Sequence, residues 1–155
     1  MKKQQSGFTL IELIMVIVVL GILAAFALPR FANLGGDARR ATIQGVEASM
    51  KSASAIVHSA FLARGGTTAT ATVAVEGANI AVTNGYPSSS DAGIETAAQI
   101  SNTEFVVTHT ATTTTVQARG ATTAANCQVV YTAATSAGTP AVITPPSIVA
   151  TTDGC

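Results

Sequence analysis

Charged side chains are scarce in this sequence, and the two signs balance. Eight Lys and Arg stand against eight Asp and Glu among 155 residues, so the formal net charge is zero. Proteins that bind DNA or RNA carry a basic face whose cations neutralise phosphates. Beyond residue 65 the only side chains expected to be ionised at neutral pH are Glu76, Asp91, Glu95, Glu104, Arg119 and Asp153. The sequence therefore argues against a nucleic-acid partner.

Signatures of catalysis and of cofactor binding are missing as well. The sequence has no phosphate-binding loop and no dinucleotide fingerprint. Its carboxylates are scattered singly, which argues against a paired acid–base site and against a tight calcium site. His58 lies on the polar face of a predicted helix and His109 in a predicted strand, and we expect both to be solvated. The sequence predicts no enzymatic activity, no cofactor and no metal site.

One long apolar run stands directly after a short basic leader. Residues 8–28 contain a single ionisable side chain, Glu12. As a helix they extend roughly 31 Å, about the thickness of the hydrocarbon core of a bilayer. The run can therefore span a membrane, and Lys2 and Lys3 are expected to stay on the cytoplasmic side. A charged side chain inside such a run costs about 2.5–3.5 kcal/mol on insertion scales, so Glu12 is predicted to be functional and to have a partner.

That partner is not another nearby side chain, because no Lys, Arg or His lies within one helical turn of Glu12. A cut between Gly7 and Phe8 would create an α-amino group one turn before the carboxylate. The segment Gly7-Phe8-Thr9-Leu10-Ile11-Glu12 follows Lys2-Lys3 and precedes an apolar tract that ends at Pro29. This pattern closely resembles the class III signal of type IV pilins and of type II secretion pseudopilins.

The resemblance extends to Arg64 and implies a processing scheme. Prepilin peptidase, a membrane aspartyl peptidase, would cut after Gly7 and N-methylate Phe8. Glu12 would then neutralise the Phe8 amine of a neighbouring subunit as a fibre is assembled. Further implied partners are an assembly ATPase and its platform proteins. On this interpretation residues 1–7 are a leader, residues 8–30 a transmembrane and polymerisation helix, and residues 31–155 a globular head.

Two other interpretations of the N-terminus remain open. Ala25-Phe26-Ala27 would satisfy a secretory signal with cleavage before Leu28, although the apolar tract exceeds the usual ~7–15 residues and carries Glu12 early. A simple membrane anchor is the other alternative, and it explains neither Gly7-Phe8 nor Glu12. No lipobox cysteine suggests an acylated lipoprotein.

A second helical pattern follows Pro29. Within residues 31–64 apolar side chains recur three and four apart, on one stripe that needs a partner surface: Ile43, Val46, Met50, Ala53, Val57 and Phe61. The opposite stripe carries Glu47 and Lys51 in the favourable order for an ion pair. Gly65-Gly66 is expected to end the helix.

Together the two helical patterns predict one long helix over residues 8–64, about 85 Å in length. Gly21 and Pro29 are its weak points, because proline removes a main-chain hydrogen bond and its ring clashes with the preceding turn. We expect a helix kink there. The resemblance implies that this region bends or loses order when subunits pack in a filament.

The remainder of the chain is rich in short β-prone stretches separated by turns. Strands are predicted at 70–76 and 79–83, joined by Gly77-Ala78 in a hairpin, and at 105–110, 113–118 and 128–132. Residues 84–91 have turn chemistry, and residues 93–100 favour a short helix. Asn84-Gly85-Tyr86-Pro87, followed by Gly93-Ile94, resembles the mannose-sensitive haemagglutinin branch of type IV pilins.

The two cysteines, Cys127 and Cys155, both lie in the last fifth of the chain. In an exported protein they are expected to form a disulfide, because an oxidising compartment favours pairing. The alternatives are two free buried thiols or a metal pair, although two cysteines without neighbouring histidines make a poor zinc site. Two late cysteines also resemble the disulfide-bounded region of pilins, whereas major pseudopilins commonly carry a C-terminal calcium loop.

These patterns and the resemblance predict an α+β pilin fold, in which the C-terminal half of a long N-terminal helix packs on a small antiparallel β-sheet. The expected function is that of a type IV pilus subunit, polymerised into a homo-oligomeric surface fibre for adhesion or motility. The precursor is expected in the bacterial inner membrane with its head in the periplasm, and the mature chain in the extracellular fibre. The alternatives are a type II secretion pseudopilin and, from a different class, a membrane-anchored or secreted monomeric adhesin.

Overall fold

The computed structural model describes residues 7–32, 34–66 and 70–155. They fall into two compact units, one up to Gly35 and one from Gly36 to Cys155, and each is described by itself. The predicted leader residues 1–6, with Lys2 and Lys3, lie outside the described residues.

The first unit is built on helix α1, Leu10–Ala32. The Leu, Met and Ala side chains of α1 favour the helix, and Glu12 in the first turn complements the positive end of the helix dipole. The helix begins two residues later than predicted, since Phe8 and Thr9 are not helical. Pro29 lies within the bounds of α1. The kink at Gly21 and Pro29 in a filament stays a prediction.

Helix α2 spans Leu34–Ala63. From Gly36 onward it belongs to the second unit, of which it is the longest element. All six members of the predicted apolar stripe are buried, and Ser54 is buried with them. Lys51 Nζ lies 2.7 Å from Glu47 Oε1, as the sequence predicts. The helix ends where expected, because Gly65 takes a positive φ of 64° and its amide donates to Leu62 O. The predicted single helix would pass through Asn33, which lies outside the described residues.

The first sheet is antiparallel, with strand order β1-β2-β3. Its strands are β1 (Thr70–Val75), β2 (Ala78–Thr83) and β3 (Tyr86–Pro87). The predicted hairpin is confirmed, but its turn lies one residue earlier than the expected Gly77-Ala78, since Glu76 and Gly77 form it with φ of 50° and 84°. Asn84 and Gly85, also at positive φ, turn the chain from β2 into β3. The sequence predicts the turn and misses the two-residue strand that it serves.

The second sheet is a four-stranded antiparallel sheet with order β4-β5-β6-β9. Its strands are β4 (Phe105–His109), β5 (Thr113–Ala118), β6 (Gln128–Thr132) and β9 (Ser147–Thr151). Two further strands, β7 (Thr135–Ala137) and β8 (Val142–Thr144), pair only with each other in the described part of the chain. The three predicted strands of this region are confirmed to within one residue. The sequence patterns do not reveal β7, β8 and β9.

The predicted short helix at 93–100 is wrong in its bounds. A π-helical turn covers Asp91–Glu95, and Gly93 within it has non-helical angles, φ −99° and ψ −113°. A Cβ atom at Gly93 would overlap the Ser88 carbonyl oxygen. The close approach of these two backbone segments breaks the helix that the side-chain pattern favours.

The stripe on α2 serves two hydrophobic clusters. Ile43, Val46, Met50 and Ala53 pack with residues of the second sheet, among them Val116, Val129 and Tyr131. Val57 and Phe61 pack with Val73, Ile80 and Val82 of the first sheet. One helix face therefore joins two sheets, and the predicted α+β fold class is confirmed.

Tyr131 links the second sheet to the end of the first. Its side chain has no exposed surface, and its hydroxyl donates to Pro87 O over 2.6 Å. Burial raises the pKa of the Tyr131 phenol well above its ordinary value. The hydroxyl therefore stays protonated and keeps donating throughout the physiological pH range.

The last residues are tied to the head by covalent and polar contacts. Cys155 forms a disulfide with Cys127, which confirms the predicted pairing. Arg39 Nε on α2 donates to Cys155 O over 2.8 Å. Gly154 N donates to Asn126 O over 2.9 Å. The segment that follows β9 is thus held both to the loop before β6 and to the first turns of α2.

Replacing both cysteines, Cys127→Ser with Cys155→Ser, should lower the free energy of unfolding of the head by about 3–4 kcal/mol. A loop of roughly 29 residues then gains chain entropy in the unfolded state. Urea unfolding of the full chain in detergent, followed by circular dichroism, measures the change. Reduced wild-type chain is the matched control and should unfold at the same urea concentration as the double variant. An unchanged midpoint in both would contradict the expectation.

Candidate functional site

The predicted processing site lies at the start of the described chain. Gly7, Phe8 and Thr9 are non-helical and exposed, and 92% of the Phe8 surface is open to solvent. Helix α1 begins at the next residue, Leu10. The Gly7–Phe8 peptide bond is therefore outside the regular helix, where a backbone can adopt an extended form.

Thr9 and Glu12 cap the first turn of α1 reciprocally. The Thr9 amide and hydroxyl donate to Glu12 Oε2 over 2.9 and 2.8 Å, and the Glu12 amide donates to Thr9 Oγ1 over 3.3 Å. This is a capping box, in which Thr and Glu three residues apart each satisfy a main-chain amide that the helix leaves without a partner.

The capping box gives Glu12 a hydrogen-bonding partner in its own chain, Thr9, which the sequence analysis does not predict. Two donors of Thr9 reach one carboxylate oxygen, so the charged group has hydrogen bonds inside its own chain. The signal is present in the sequence, because Thr followed three residues later by Glu before an apolar run is a mark of a helix start. Because Thr9 is uncharged, it is not among the cationic partners expected for Glu12.

Beyond its first turn and as far as Ala27, α1 presents an apolar surface that the described residues leave uncovered. The 18 residues Leu10–Ala27 are long and apolar enough to cross a membrane, and none is buried. The core helix of a soluble protein would be largely buried, whereas this one exposes Ile, Leu, Val and Phe side chains on every face. Such a surface needs lipid or other apolar helices around it.

The predicted site residues do not all meet in one place. Gly7, Phe8 and Glu12 share the first turn of α1 and the residues before it, together with Thr9. Gly21 lies three helical turns further along α1, and a Cβ atom added to it would meet no other part of the described chain within 4 Å. Cys127 and Cys155 belong to the second unit.

His58 is not the solvated histidine that the sequence predicts. Its Nδ1 donates to Gly85 O over 2.8 Å, and its ring stacks on Tyr86 with centroids 4.0 Å apart and planes 2° apart. The prediction was wrong because the partners come from the β2–β3 turn, 27 residues further along the chain. The contact holds that turn against α2.

His109 is exposed, as the sequence predicts, and it is hydrogen-bonded as well. Its Nε2 donates to Glu95 Oε2 over 2.8 Å, and its Nδ1 lies 3.1 Å from Thr114 Oγ1. Asn102 Nδ2 donates to the second oxygen of Glu95 over 2.6 Å, and Glu95 is only 7% exposed. A hydroxyl, an imidazole and a carboxylate thus stand in a row, an arrangement that the sequence patterns do not predict.

This row resembles a nucleophile–base–acid triad only in its residue types. Thr114 has no exposed surface, so its hydroxyl cannot reach a substrate. The row has a structural effect, because it supplies a hydrogen-bond donor to the buried Glu95 carboxylate. A carboxylate buried without such donors would be costly. The row ties the turn at Asp91–Glu95 to the β4–β5 hairpin. Within the described residues no group of three His, Cys, Asp or Glu side chains could hold a metal ion.

The N-terminal segment matches a known family model. Residues 2–28 match the prokaryotic N-terminal methylation motif. This range contains the non-helical Gly7–Phe8 step, the capping box and most of α1.

Curated relatives match a part of the chain. The type IV narrow pilus major component PilA5 of Thermus thermophilus is 51% identical over 51 residues, 33% of this chain and 44% of that protein. The type IV major fimbrial protein FimA of Dichelobacter nodosus is 58% identical over 33 residues, 21% of each chain. The type II secretion system core protein G of Pseudomonas aeruginosa is 46% identical over 44 residues, 28% of this chain and 31% of that protein.

The chain spans less than half the length of these relatives. No solved structure matches it. The family model covers residues 2–28, and these relatives match at most a third of the chain.

Replacing Thr9 by Val should weaken the start of α1 without changing its charge. The capping hydroxyl is worth about 1 kcal/mol, so hydrogen exchange at the Glu12 amide should become about fivefold faster. Exchange of backbone amides measured by NMR on the full chain in micelles tests this. Thr9→Ser keeps the hydroxyl and should behave like the wild type. Equal protection in the Val and Ser variants would show that the cap is not formed.

Proposed function

We infer that this chain is a member of the type IV pilin family and a structural subunit of a type IV pilus. The observation that carries the proposal is the apolar surface of Leu10–Ala27, of which no residue is buried, with one carboxylate in the first turn of the helix. A helix of this kind is stable in lipid or in contact with copies of itself. No enzymatic role is proposed, and the homologues are structural proteins by name.

Processing would begin at the Gly7–Phe8 bond. We propose that prepilin peptidase removes residues 1–7 and that the new amine of Phe8 is N-methylated. The match to the N-terminal methylation motif and the exposed, non-helical position of this bond support the proposal. Residues 8–30 would then serve as the transmembrane and polymerisation helix, and residues 31–155 as the head.

Assembly follows from the exposed surface of α1. Packing α1 helices side by side keeps their apolar surface from water once subunits leave the lipid, at about 25 cal/mol per Å² buried. In the same step Glu12 would exchange Thr9 for the α-amine of Phe8 on a neighbouring subunit. That pairing avoids an isolated charge in an apolar environment.

The membrane-anchored precursor and the pilus fibre are the two locations that the family and the apolar helix suggest. In finer terms, we propose that Lys2 and Lys3 stay in the cytoplasm, that the head lies in the periplasm, and that an ATPase with its platform drives extrusion. The bend at Gly21 and Pro29 would form during packing. The likeness of residues 84–94 to the mannose-sensitive haemagglutinin branch, and a role in adhesion or motility, are proposals of the same kind.

A type II secretion pseudopilin is the alternative within the same family, and the similarity to core protein G motivates it. It is not favoured, because the similarity to PilA5 extends over more residues at higher identity. A secreted adhesin is the alternative from another class. It would begin at Leu28 and lack the apolar helix.

Subunits from sheared surface fibres should begin at N-methyl-Phe8 and be two hydrogens lighter than their reduced form. Intact-mass and N-terminal determination on the fibre fraction measures both. The culture medium serves as the control fraction. A soluble product that begins at Leu28, with nothing in the fibres, would contradict the proposal in favour of a secreted protein.

Glu12→Gln should abolish most fibre assembly although it preserves the capping box. Gln can still pair with Thr9, but it carries no charge to offset a neighbour's amine. Glu12→Ala removes the charge and the cap, and Thr9→Val removes the capping hydroxyl alone. We expect processed, membrane-held subunits and at least tenfold less fibre for both Glu12 variants, the effect of ~1.4 kcal/mol per contact. Quantitative immunoblots of sheared fibres and of membranes measure the yields. Normal yield from Glu12→Gln would rule out the charge as the requirement.

A further inference from the structure

A cleft in the head brings two cationic side chains together. It measures about 320 Å³ and is lined by Arg39, Thr42, Glu104, Phe105, Ala118 and Arg119. Arg39 comes from α2, and Arg119 follows β5. Arg119 is also the only Lys or Arg side chain after residue 65. The cleft therefore gathers an unusual share of the positive charge of a charge-poor head.

Both guanidinium groups are held in place by main-chain acceptors. Arg39 uses Nε for Cys155 O, over 2.8 Å. Arg119 uses Nε for Thr103 O and Nη2 for Asn102 O, over 3.1 and 2.7 Å. Other N–H groups of each guanidinium bond to no described residue. The two cations are thus oriented while donors remain free.

Neither arginine forms an ion pair in the described part of the chain. The ion pairs found there are Lys51–Glu47 and His109–Glu95. Glu104 lines the cleft as well, without coming within ion-pair distance of either arginine, so the lining has a net charge of +1. A free guanidinium fork is suited to a carboxylate, which it binds through two parallel hydrogen bonds.

The head also carries a carboxylate that has no partner among the described residues. Glu76 stands at the turn of the β1–β2 hairpin, where it is exposed and makes no hydrogen bond through its side chain to any of them. Its backbone φ of 50° and that of Gly77 form the tight turn. The hairpin therefore presents a charged tip to its surroundings.

Other acidic side chains of the head fit the role less well. Glu47 and Glu95 are paired, and Asp91 accepts from the Ala92 amide. Asp37 and Asp153 each lie, in the sequence, two residues from a member of the Arg39–Cys155 contact. A contact between different surfaces of two copies needs a carboxylate from elsewhere, and Glu76 supplies it.

We propose that the Arg39–Arg119 cleft receives the Glu76 hairpin tip of a second copy of this chain. The contact joins two different surfaces, so it propagates from copy to copy into an open array instead of closing as a dimer. It rests on the proposed fibre, in which copies stand side by side. Charge complementarity selects the second copy as the occupant, because each copy offers both the socket and the acidic tip.

A charge exchange tests the contact. Arg119→Glu and Glu76→Arg should each lower fibre yield at least threefold, and the double variant should restore most of it. Asp91→Arg, at another exposed carboxylate, is the matched control and should assemble normally. Single variants that assemble like the wild type, or a double variant that is no better than either single one, would overturn the proposal.

A cross-link tests the geometry directly. In fibres of Arg119→Lys, which keeps the charge, a zero-length carbodiimide should couple the introduced amine to Glu76, and the peptide pair should be found in the dimer band by mass spectrometry. Coupling of Lys51 to Glu47 within one copy is the internal positive control, since these side chains are 2.7 Å apart.

The outcomes separate the two proposals. Fibres in which the introduced amine is coupled to Glu76 of another copy support the contact. Fibres in which that amine couples only to another carboxylate, or to none between copies, overturn the contact and leave the pilus proposal intact. Failure of the unchanged chain to form fibres overturns the pilus proposal and the contact with it.

Discussion

The proposed function depends above all on an apolar helix surface that no described residue covers. Nothing described in the chain buries Leu10–Ala27, so these residues need lipid or other helices. The charge of Glu12, in the first turn of α1, adds a second requirement, which is a polar partner in an apolar environment. Thr9 meets this second need within the chain, and the first need is left to the surroundings. The proposed life of the subunit, first in a membrane and then in a fibre, satisfies both in turn.

The head achieves order with few large side chains. One stripe of α2 supplies apolar contacts to two separate sheets, and Tyr131 connects those sheets through a buried hydroxyl. Small residues dominate the remainder, so specific polar contacts and the disulfide make up for limited apolar burial. Glu95, His109 and Thr114 illustrate this, because they fasten a turn to a hairpin without adding apolar area.

Much of this arrangement could be predicted from residue patterns of short range. The six apolar positions of α2 and the three best strands of the second sheet follow from periodicity. The β1–β2 hairpin follows from turn chemistry, although its turn lies one residue earlier than predicted. Strands β7 and β8 could not be predicted because they are only three residues long, and the pairing of β9 with β6 is set by the fold. The prediction for His58 was wrong and the contacts of His109 were missed for the same reason, since their partners lie 27 and 14 residues away. Thr9 could have been found from its spacing to Glu12 alone.

The capping box also bears on how strongly neighbouring subunits are driven together. The Glu12 carboxylate already accepts two hydrogen bonds from Thr9. If it pairs instead with the amine of a neighbour, association gains only the difference in free energy between the new contact and the bonds that are lost. In the proposed assembly, a modest difference would allow subunits to remain separate at low density in the membrane. It would also allow the proposed fibre to be taken apart into reusable subunits, with Thr9 bonding to the carboxylate again as each neighbour leaves.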